Sequence, residues 1–406
     1  MKYNVCTLDN GLRVIHLPSD SQVVYCGISV KAGTRHERKG EEGLAHFCEH
    51  LLFKGTEKRT SVQIINAIEG LGGELNAFTN KEDTTFYCAI QRRHFRQAVD
   101  VLCDILFHST FPQEEVEKER EVVCEEIESY EDTPAELIYD EFENILFEGH
   151  PLGHNILGSS AQVRSYTADD ARRFTSRYYH PSNCVFFASG DINFSTLTRH
   201  LAAIEATSPL INQNNQTTHN TQITPITITR QRSTHQAHVM LGSKAYAADD
   251  KRRWALYLLN NILGGPGLNS RLNLALRERH GLVYSVESTM VSYSDTGLWS
   301  VYFGCDQTDV KRCLRIVRHE LDRLCQKPLS PTQLHSAKRQ LQGQLAIASD
   351  SREQFALDFA KNYLHSGKLR DLNDITEHID RLTADDLQQV ACDIFDEDRL
   401  TTLIYQ

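Results

Sequence analysis

Nothing in the 406 residues approaches the run of about 18–20 apolar residues that a membrane-spanning helix requires, so no membrane partner is expected. The N-terminus, MKYNVCTLDNGLRVIHL, lacks the apolar block of a signal peptide and reads as a strand and a turn. The chain is therefore expected to stay in the cytoplasm. Basic charge is not in excess: 43 Lys and Arg stand against 54 Asp and Glu, for a net charge of −11. Acids and bases are mixed along most of the chain, and a nucleic-acid partner, which selects a basic face, is not expected. No CxxC pair occurs, which excludes a paired-cysteine zinc site and a thioredoxin-like motif. The eleven cysteines are odd in number and scattered beside apolar residues, so free buried thiols in a reducing compartment fit better than a disulfide framework. A P-loop and a GxSxG nucleophile elbow are also missing.

What is present is the composition of a globular protein, 40% hydrophobic and 24% charged. The length exceeds one ordinary core, so two domains or more are expected. CTLDNGLRVIHL and QVVYCGISVKAG alternate around Asn10-Gly11 and read as a hairpin. Helices are expected from about 43 to 53, 61 to 70, 94 to 108, 113 to 131 and 167 to 178. LNAFTNKEDTTFYCAI reads as two strands around a polar turn, and CVFFASGDI as a further strand. The segment SPLINQNNQTTHNTQITP is polar and without helical period, a linker at 208–222. After it the order of elements repeats: strands ITPITITR and AHVMLGS, a helix in RRWALYLLNNILGG, two strands in LVYSVESTMVSYSDTGLWSVYFG, then helices near 307–326 and 330–346. The expected fold is α+β, two similar domains at 1–207 and 223–406, each an antiparallel sheet packed with helices.

The chemistry concentrates in GLAHFCEHLLFKGT. On a helix, positions i, i+3 and i+4 share a face, so His46, Glu49 and His50 point one way while Leu44, Phe47, Cys48, Leu51 and Leu52 face the core. Two imidazoles one turn apart can grip one zinc ion, and Glu49 stands where a general base for water is needed. The plain alternative is an amphipathic helix whose polar face happens to carry histidines. Against it stands the H-x-x-E-H order, an inverted zinc-peptidase signature. Matching Gly55 to Gly264 sets Ala255, Leu258 and Leu259 in the second half against His46, Glu49 and His50, so the polar triad is not needed merely to build the fold.

A catalytic zinc keeps three protein ligands and one open position. The third is sought in FPQEEVEKEREVVCEEIESYE, where Phe111-Pro112 sets a helix start. Val116, Val123, Ile127 and Tyr130 fall within about 40° of Val123 and define the buried stripe. Glu121, Glu125 and Glu128 lie about 140–160° from it and are expected in solvent. Glu119 and Glu126 border the stripe at about 40° and 60°, and helical geometry leaves both open as ligands.

Taken together, GLAHFCEHLLFKGT, LNAFTNKEDTTFYC and EVEKEREVVCEEIE resemble the pitrilysin/insulinase family of zinc metallopeptidases. The closer likeness is to the short-chain group that includes the β subunit of mitochondrial processing peptidase and its bacterial relatives. The resemblance implies that His46, His50 and Glu126 ligate zinc, that Glu49 is the general base and that Glu119 supports the site. It also implies that Asn76 and Ala77, on a strand at a sheet edge, hold an extended substrate by strand addition. Arg277 and Tyr284 in SRLNLALRERHGLVYSV match the family's Arg and Tyr, and would contact the substrate backbone and steady the tetrahedral intermediate. The extra loop residues of LLNNILGGPGLNSRL depart from the family's plainer Gly-rich turn.

The activity so implied is endopeptidase cleavage of peptides or unfolded segments in a chamber closed by two chains, a homodimer or alternatively a heterodimer. Rival readings are a non-catalytic scaffold or peptide-binding subunit, and a catalytic subunit needing a different, inactive partner chain. His150 and His154 are four apart, but Pro151 and Gly153 argue against a shared helical face, and they are not expected as ligands.

Overall fold

The computed structural model describes residues 3–206, 225–232, 234–369 and 372–406; the expected linker at 208–222 lies outside them. In chain order the elements are β1 (Asn4–Thr7), β2 (Arg13–Pro18), β3 (Val23–Val30), α1 (Leu44–Leu52), α2 (Ser61–Ile68), β4 (Glu74–Thr79), β5 (Thr84–Gln91), α3 (Phe95–Phe107), α4 (Gln113–Glu131), α5 (Pro134–Leu146), α6 (Ser160–Val163), α7 (Ala168–Tyr178), β6 (Cys184–Gly190) and α8 (Phe194–Ala202). There follow β7 (Thr227–Arg230), β8 (Ala237–Ala245), α9 (Arg253–Gly264), a π-helical turn (Asn273–Glu278), β9 (Val283–Ser292), β10 (Gly297–Cys305), α10 (Val310–Gln326), α11 (Pro331–Ala348), α12 (Arg352–Ser366), α13 (Leu372–Arg381), α14 (Ala384–Ile394) and β11 (Thr401–Tyr405).

The chain forms two units. The first holds the described residues of Met1–Ser129, His154–Gln216 and Ala348–Asp371; the second holds those of Tyr130–Gly153, Thr217–Ile347 and Leu372–Gln406. The expected contiguous division is thus crossed twice, since 130–153 group with the second unit and 348–371 with the first.

Each unit is built on one sheet, ordered β1-β2-β6-β3-β5-β4 in the first and β7-β11-β8-β10-β9 in the second. The plans coincide strand for strand once β1 is set aside. Both sheets are mixed rather than purely antiparallel: β2 runs parallel to β6 and β7 parallel to β11, all other pairings being antiparallel. The parallel pair arises because the last strand of each unit returns by a long crossover instead of a hairpin.

Strand β6, CVFFASG, is buried at every position. Its side chains alternate between two cores, as the period of two dictates. Cys184, Phe186 and Ala188 join the larger core with the stripe of α1 and with α3. Val185 and Phe187, with Ile15, meet Ala356, Phe359, Ala360 and Leu364 of α12 on the other face. A strand covered on both faces reads as a continuous apolar run, which is what the sequence shows. The second unit repeats the arrangement: Met240, Leu403 and Tyr405 meet Ile138, Phe142 and Leu146 of α5.

The helices expected in the first 200 residues are present within a few residues of their expected ends. The connection from α3 to α4 turns at Phe111, which is buried and has a positive φ of 52°. Pro112 then starts α4, as the Phe-Pro pair predicts. Helices α5, α6, α8, α12, α13 and α14 and strand β11 were not expected from the sequence.

Candidate metal centre

Helix α1 buries Leu44, Phe47, Cys48, Leu51 and Leu52 in the core, as its period requires. Two devices fix how the chain enters it. Gly43, the residue before the helix, has φ 93°, and a Cβ there would lie 2.6 Å from the carbonyl oxygen of Leu157, so a side chain is excluded on both counts. The fully buried carboxylate of Glu37 accepts the N–H of Gly43 at 3.0 Å and that of Ala45 at 2.7 Å, and lies 2.8 Å from His154 Nε2. A negative charge at a helix N-terminus satisfies orphan donors and complements the helix dipole. Burial pushes the Glu37 carboxyl up; the contacts to His154 and Ala45 work against it. The sequence reading missed this cap, because Glu37 lies six residues before Gly43 in the chain, outside any capping box.

His46 and His50 project from the opposite face, with ring centroids 4.7 Å apart. Helix α4 faces them with Glu126, whose Oε1 is 3.8 Å from His46 Nε2 and whose Oε2 is 3.5 Å from His50 Nε2. The three offer ligand atoms all within 4.8 Å of one another, and no other group of three such side chains converges in this way among the described residues. Glu126 keeps 45% of its side chain exposed, which leaves the cluster open to solvent on one side. On α4, Val116, Val123 and Ile127 are buried while Glu121, Glu125 and Glu128 are exposed, in line with the helical sorting; Tyr130 is only half-buried.

Glu119 lies outside the cluster, on the far side of the His50 ring. It is buried, and its Oε2 lies 3.1 Å from His50 Nδ1 while Lys54 Nζ binds its Oε1 at 2.6 Å. It therefore holds the ring of His50 from behind, leaving Nε2 toward Glu126. Glu49, also buried, accepts a hydrogen bond of 2.5 Å from the Thr79 hydroxyl at the end of β4. Thr79 and Lys54 were not foreseen. Both carried a signal: Thr79 is on the same side of the strand as Ala77, and Lys54 is one turn beyond His50.

These contacts set the charges. Burial, and then His50, push His46 down to about 4, so its ring is neutral. Burial would lower His50 too, but the carboxylates of Glu119, Glu126 and Glu49 overrule it and raise it to about 9. Burial raises Glu49, with Thr79 and His50 opposing. Hydrogen bonding to His50 lowers Glu126 despite its partial burial. Glu119 is lowered as well: its burial acts upward, but His50 and Lys54 outweigh it.

A divalent cation fits this donor set. Ligand atoms about 2.1 Å from a tetrahedral zinc lie about 3.4 Å from one another, close to the 3.5 and 3.8 Å separations between Glu126 and the two imidazoles. His46 faces Glu126 through Nε2, and its Nδ1 is buried without a hydrogen-bond partner among the described residues.

Asn76 and Ala77 lie on β4, the edge strand of the first sheet, paired on one side only with Tyr87 and Phe86 of β5. Asn76 is exposed and Ala77 half-buried. Arg277 and Tyr284 belong to the second unit, the first on the π-helical turn and the second at the start of the edge strand β9. Tyr284 is 82% exposed, and the Arg277 guanidinium stands 5.8 Å from its ring centroid. In the second unit Ala255, Leu258 and Leu259 of α9 are core residues, so the helix matched to α1 carries no donors there. His150 lies 3.5 Å from Asp295 and His154 beside Glu37, so neither enters the metal cluster.

Comparison with known proteins finds two family profiles in succession along the chain. Residues 13–160 match the family profile described as Insulinase (Peptidase family M16), and residues 165–341 match that described as Peptidase M16 inactive domain. A protein of Streptomyces coelicolor named as an uncharacterized zinc protease is 37% identical over 399 residues, covering 96% of this chain and 86% of its own. YmxG of Bacillus subtilis, named in the same way, is 32% identical over 403 residues, covering 98% and 97%. A crystal structure of a protease from Helicobacter pylori shares the fold with a TM-score of 0.93 at 23% identity, over 100% of this chain and 99% of that one. A second, described as a peptidase M16 inactive domain from Pseudomonas fluorescens, has a TM-score of 0.91 at 19% identity, over 100% and 98%.

Proposed function

The chain belongs to the insulinase family of peptidases, family M16, and on that premise we propose that it is a zinc-dependent endopeptidase acting on peptides or unfolded segments. The observation that carries this reading is the convergence of two imidazoles and one carboxylate, from helices far apart in the chain, beside the buried carboxylate of Glu49. Zinc is the metal named for the relatives. Held by His46, His50 and Glu126, it would supply Lewis acidity, polarising a carbonyl and acidifying water.

The remaining steps belong to side chains. Glu49 takes a proton from the attacking water and passes it to the leaving amine. Burial raises its carboxyl toward the working pH, which suits it to both halves of that exchange. Thr79 fixes the direction of its Oε2. Glu119 and Lys54 hold the His50 ring in place. Asn76 and Ala77, on an edge strand, hold an extended substrate through main-chain hydrogen bonds. Arg277 and Tyr284 contact the substrate backbone and steady the tetrahedral intermediate. Two copies of the chain enclose a chamber that excludes folded proteins, in the cytoplasm.

The second reading is a non-catalytic, peptide-binding subunit. Its support is that a structure described as an M16 inactive domain has the same fold. The presence of His46, Glu49, His50 and Glu126 favours the catalytic reading. Replacing Glu49 by Gln tests it. Metal content, read by atomic absorption, is expected to stay near stoichiometric while cleavage of a quenched peptide falls at least about 100-fold, the scale of a lost general base. Unchanged cleavage would remove Glu49 from the mechanism, and absence of cleavage by the native protein would favour the second reading.

A further inference from the structure

The second unit contains a basic groove that the reaction above does not use. Its cavity, about 430 Å³, is lined by Arg279, Arg312, Arg315, His319 and Arg323, with Glu320 as the single carboxylate. On α10 the positions 312, 315, 319 and 323 fall within about 80° of one another, so four basic side chains share one face of the helix. Arg279, which follows the π-helical turn, contributes a further guanidinium to the lining.

The charges of this groove are not internally matched. Glu320 is buried and taken up by Arg323, at 2.9 and 3.1 Å. Among the described residues Arg279, Arg312 and Arg315 form no ion pair with a carboxylate. Several other guanidinium groups of the unit are paired: Arg230 and Arg232 with Glu141, Arg252 with Asp250, Arg318 with Asp322. A chain with a net charge of −11 that gathers three unpaired arginines around one cavity has built a place for negative charge.

Shape decides which anion. From 312 to 323 the helix rises about 16 Å, the length of about five residues of extended chain at 3.3 Å each. A compact anion would meet only one end of that row, whereas a strand bearing several carboxylates meets all of it. The groove also adjoins, in sequence, the turn that presents Arg277, to which the substrate backbone is assigned above. We propose that the groove receives an acidic, extended segment of the peptide substrate, so that the enzyme selects substrates carrying clustered Asp and Glu. This rests on the endopeptidase reading.

The test uses quenched peptides that share one cleavable core and differ in a flanking tail of four acidic, neutral or basic residues, placed on either side of the core. The acidic tail on one side is expected to raise kcat/KM about ten-fold over the neutral one, mostly through KM, the scale of a few exposed charge pairs. The advantage should fade in 0.5 M salt. Arg312→Glu with Arg315→Glu should reverse the order of acidic and basic tails, and the milder Arg312→Gln with Arg315→Gln should abolish it. Equal kcat/KM for all tails, or a preference that survives in both double variants, overturns the proposal. If no peptide is cut, the endopeptidase reading fails, and fluorescence anisotropy of a labelled acidic peptide still decides the groove: binding lost in the double variants supports it, and no binding overturns it. Tripolyphosphate held more tightly than the acidic peptide, with no tail preference, would assign the groove to a small anion and overturn the peptide proposal.

Discussion

Two histidines one helical turn apart occupy opposite protonation states. His46 is neutral because burial excludes its charge, whereas His50 keeps a proton because three carboxylates surround it. Metal ligation requires neutral imidazoles, so only His50 must lose a proton when a cation binds. Calorimetric titration of the metal-free protein with zinc at pH 7, in buffers of different ionisation enthalpy, should therefore report release of about one proton per metal. Apparent affinity should climb about ten-fold per pH unit up to about pH 9 and then level off. No proton release at pH 7 would contradict the assignment. The sign for stability follows from the same raised value. In the metal-free protein the His50 contribution is fully present below about pH 6.5, its ordinary value, and is lost as the pH rises through about 9. The melting temperature of the metal-free protein should fall across that window, and His50→Gln should flatten the fall. At this scale the sequence was most readable where side chains lie within one helical turn. His46, Glu49 and His50 share a face because the helix makes them do so. Choosing between Glu119 and Glu126 needed more than periodicity, since both border the buried stripe of α4 and only the placement of α1 beside it separates their partners.

Helix α1 depends on a residue outside it. Glu37 accepts two N–H groups at its start and holds His154 in the same buried place. Glu37→Ala leaves those donors unsatisfied in the interior, with an expected loss of about 2–4 kcal/mol. Urea unfolding of the metal-free variant measures it. Because the loosened end of α1 lies three residues from His46, zinc affinity should weaken as well. A stability change under about 0.5 kcal/mol, the range of ordinary surface substitutions, would show that the cap is dispensable. Elements of this kind hide from sequence patterns, because the partners meet through tertiary approach and share no period. The same holds for α5 and α12. Their apolar residues cover the far faces of sheets whose strands lie about a hundred residues or more away along the chain, so local context gave no hint of their partners. By contrast β3, β5 and β6 were legible from alternation and apolar runs alone.

Across the whole chain, the two similar halves each take a segment that the linear order assigns to the other. Within the first unit, Ile15, Val185 and Phe187 of the sheet are closed off by Ala356, Phe359, Ala360 and Leu364. A fragment ending at the expected boundary, residues 1–207, should therefore expose that face, bind a hydrophobic dye and aggregate. Co-expression of a segment spanning 348–371 should restore soluble protein. A soluble, dye-silent fragment without it would contradict the packing. Phe359→Ala in the full chain should cost about 3–5 kcal/mol, the range for a large buried aromatic. The repeat of the sheet plan was legible, because the order of strands and helices recurs after the polar stretch; the exchange was not, since it reverses which helix serves which sheet. The metal site depends on long-range approach too, since α1 and α4 bring together residues that the sequence separates widely. Anomalous diffraction at the zinc absorption edge, from crystals grown with zinc, tests that convergence directly: one peak is expected between His46 Nε2, His50 Nε2 and the Glu126 carboxylate. A map with no peak there, or with the ion held by other side chains, would contradict it.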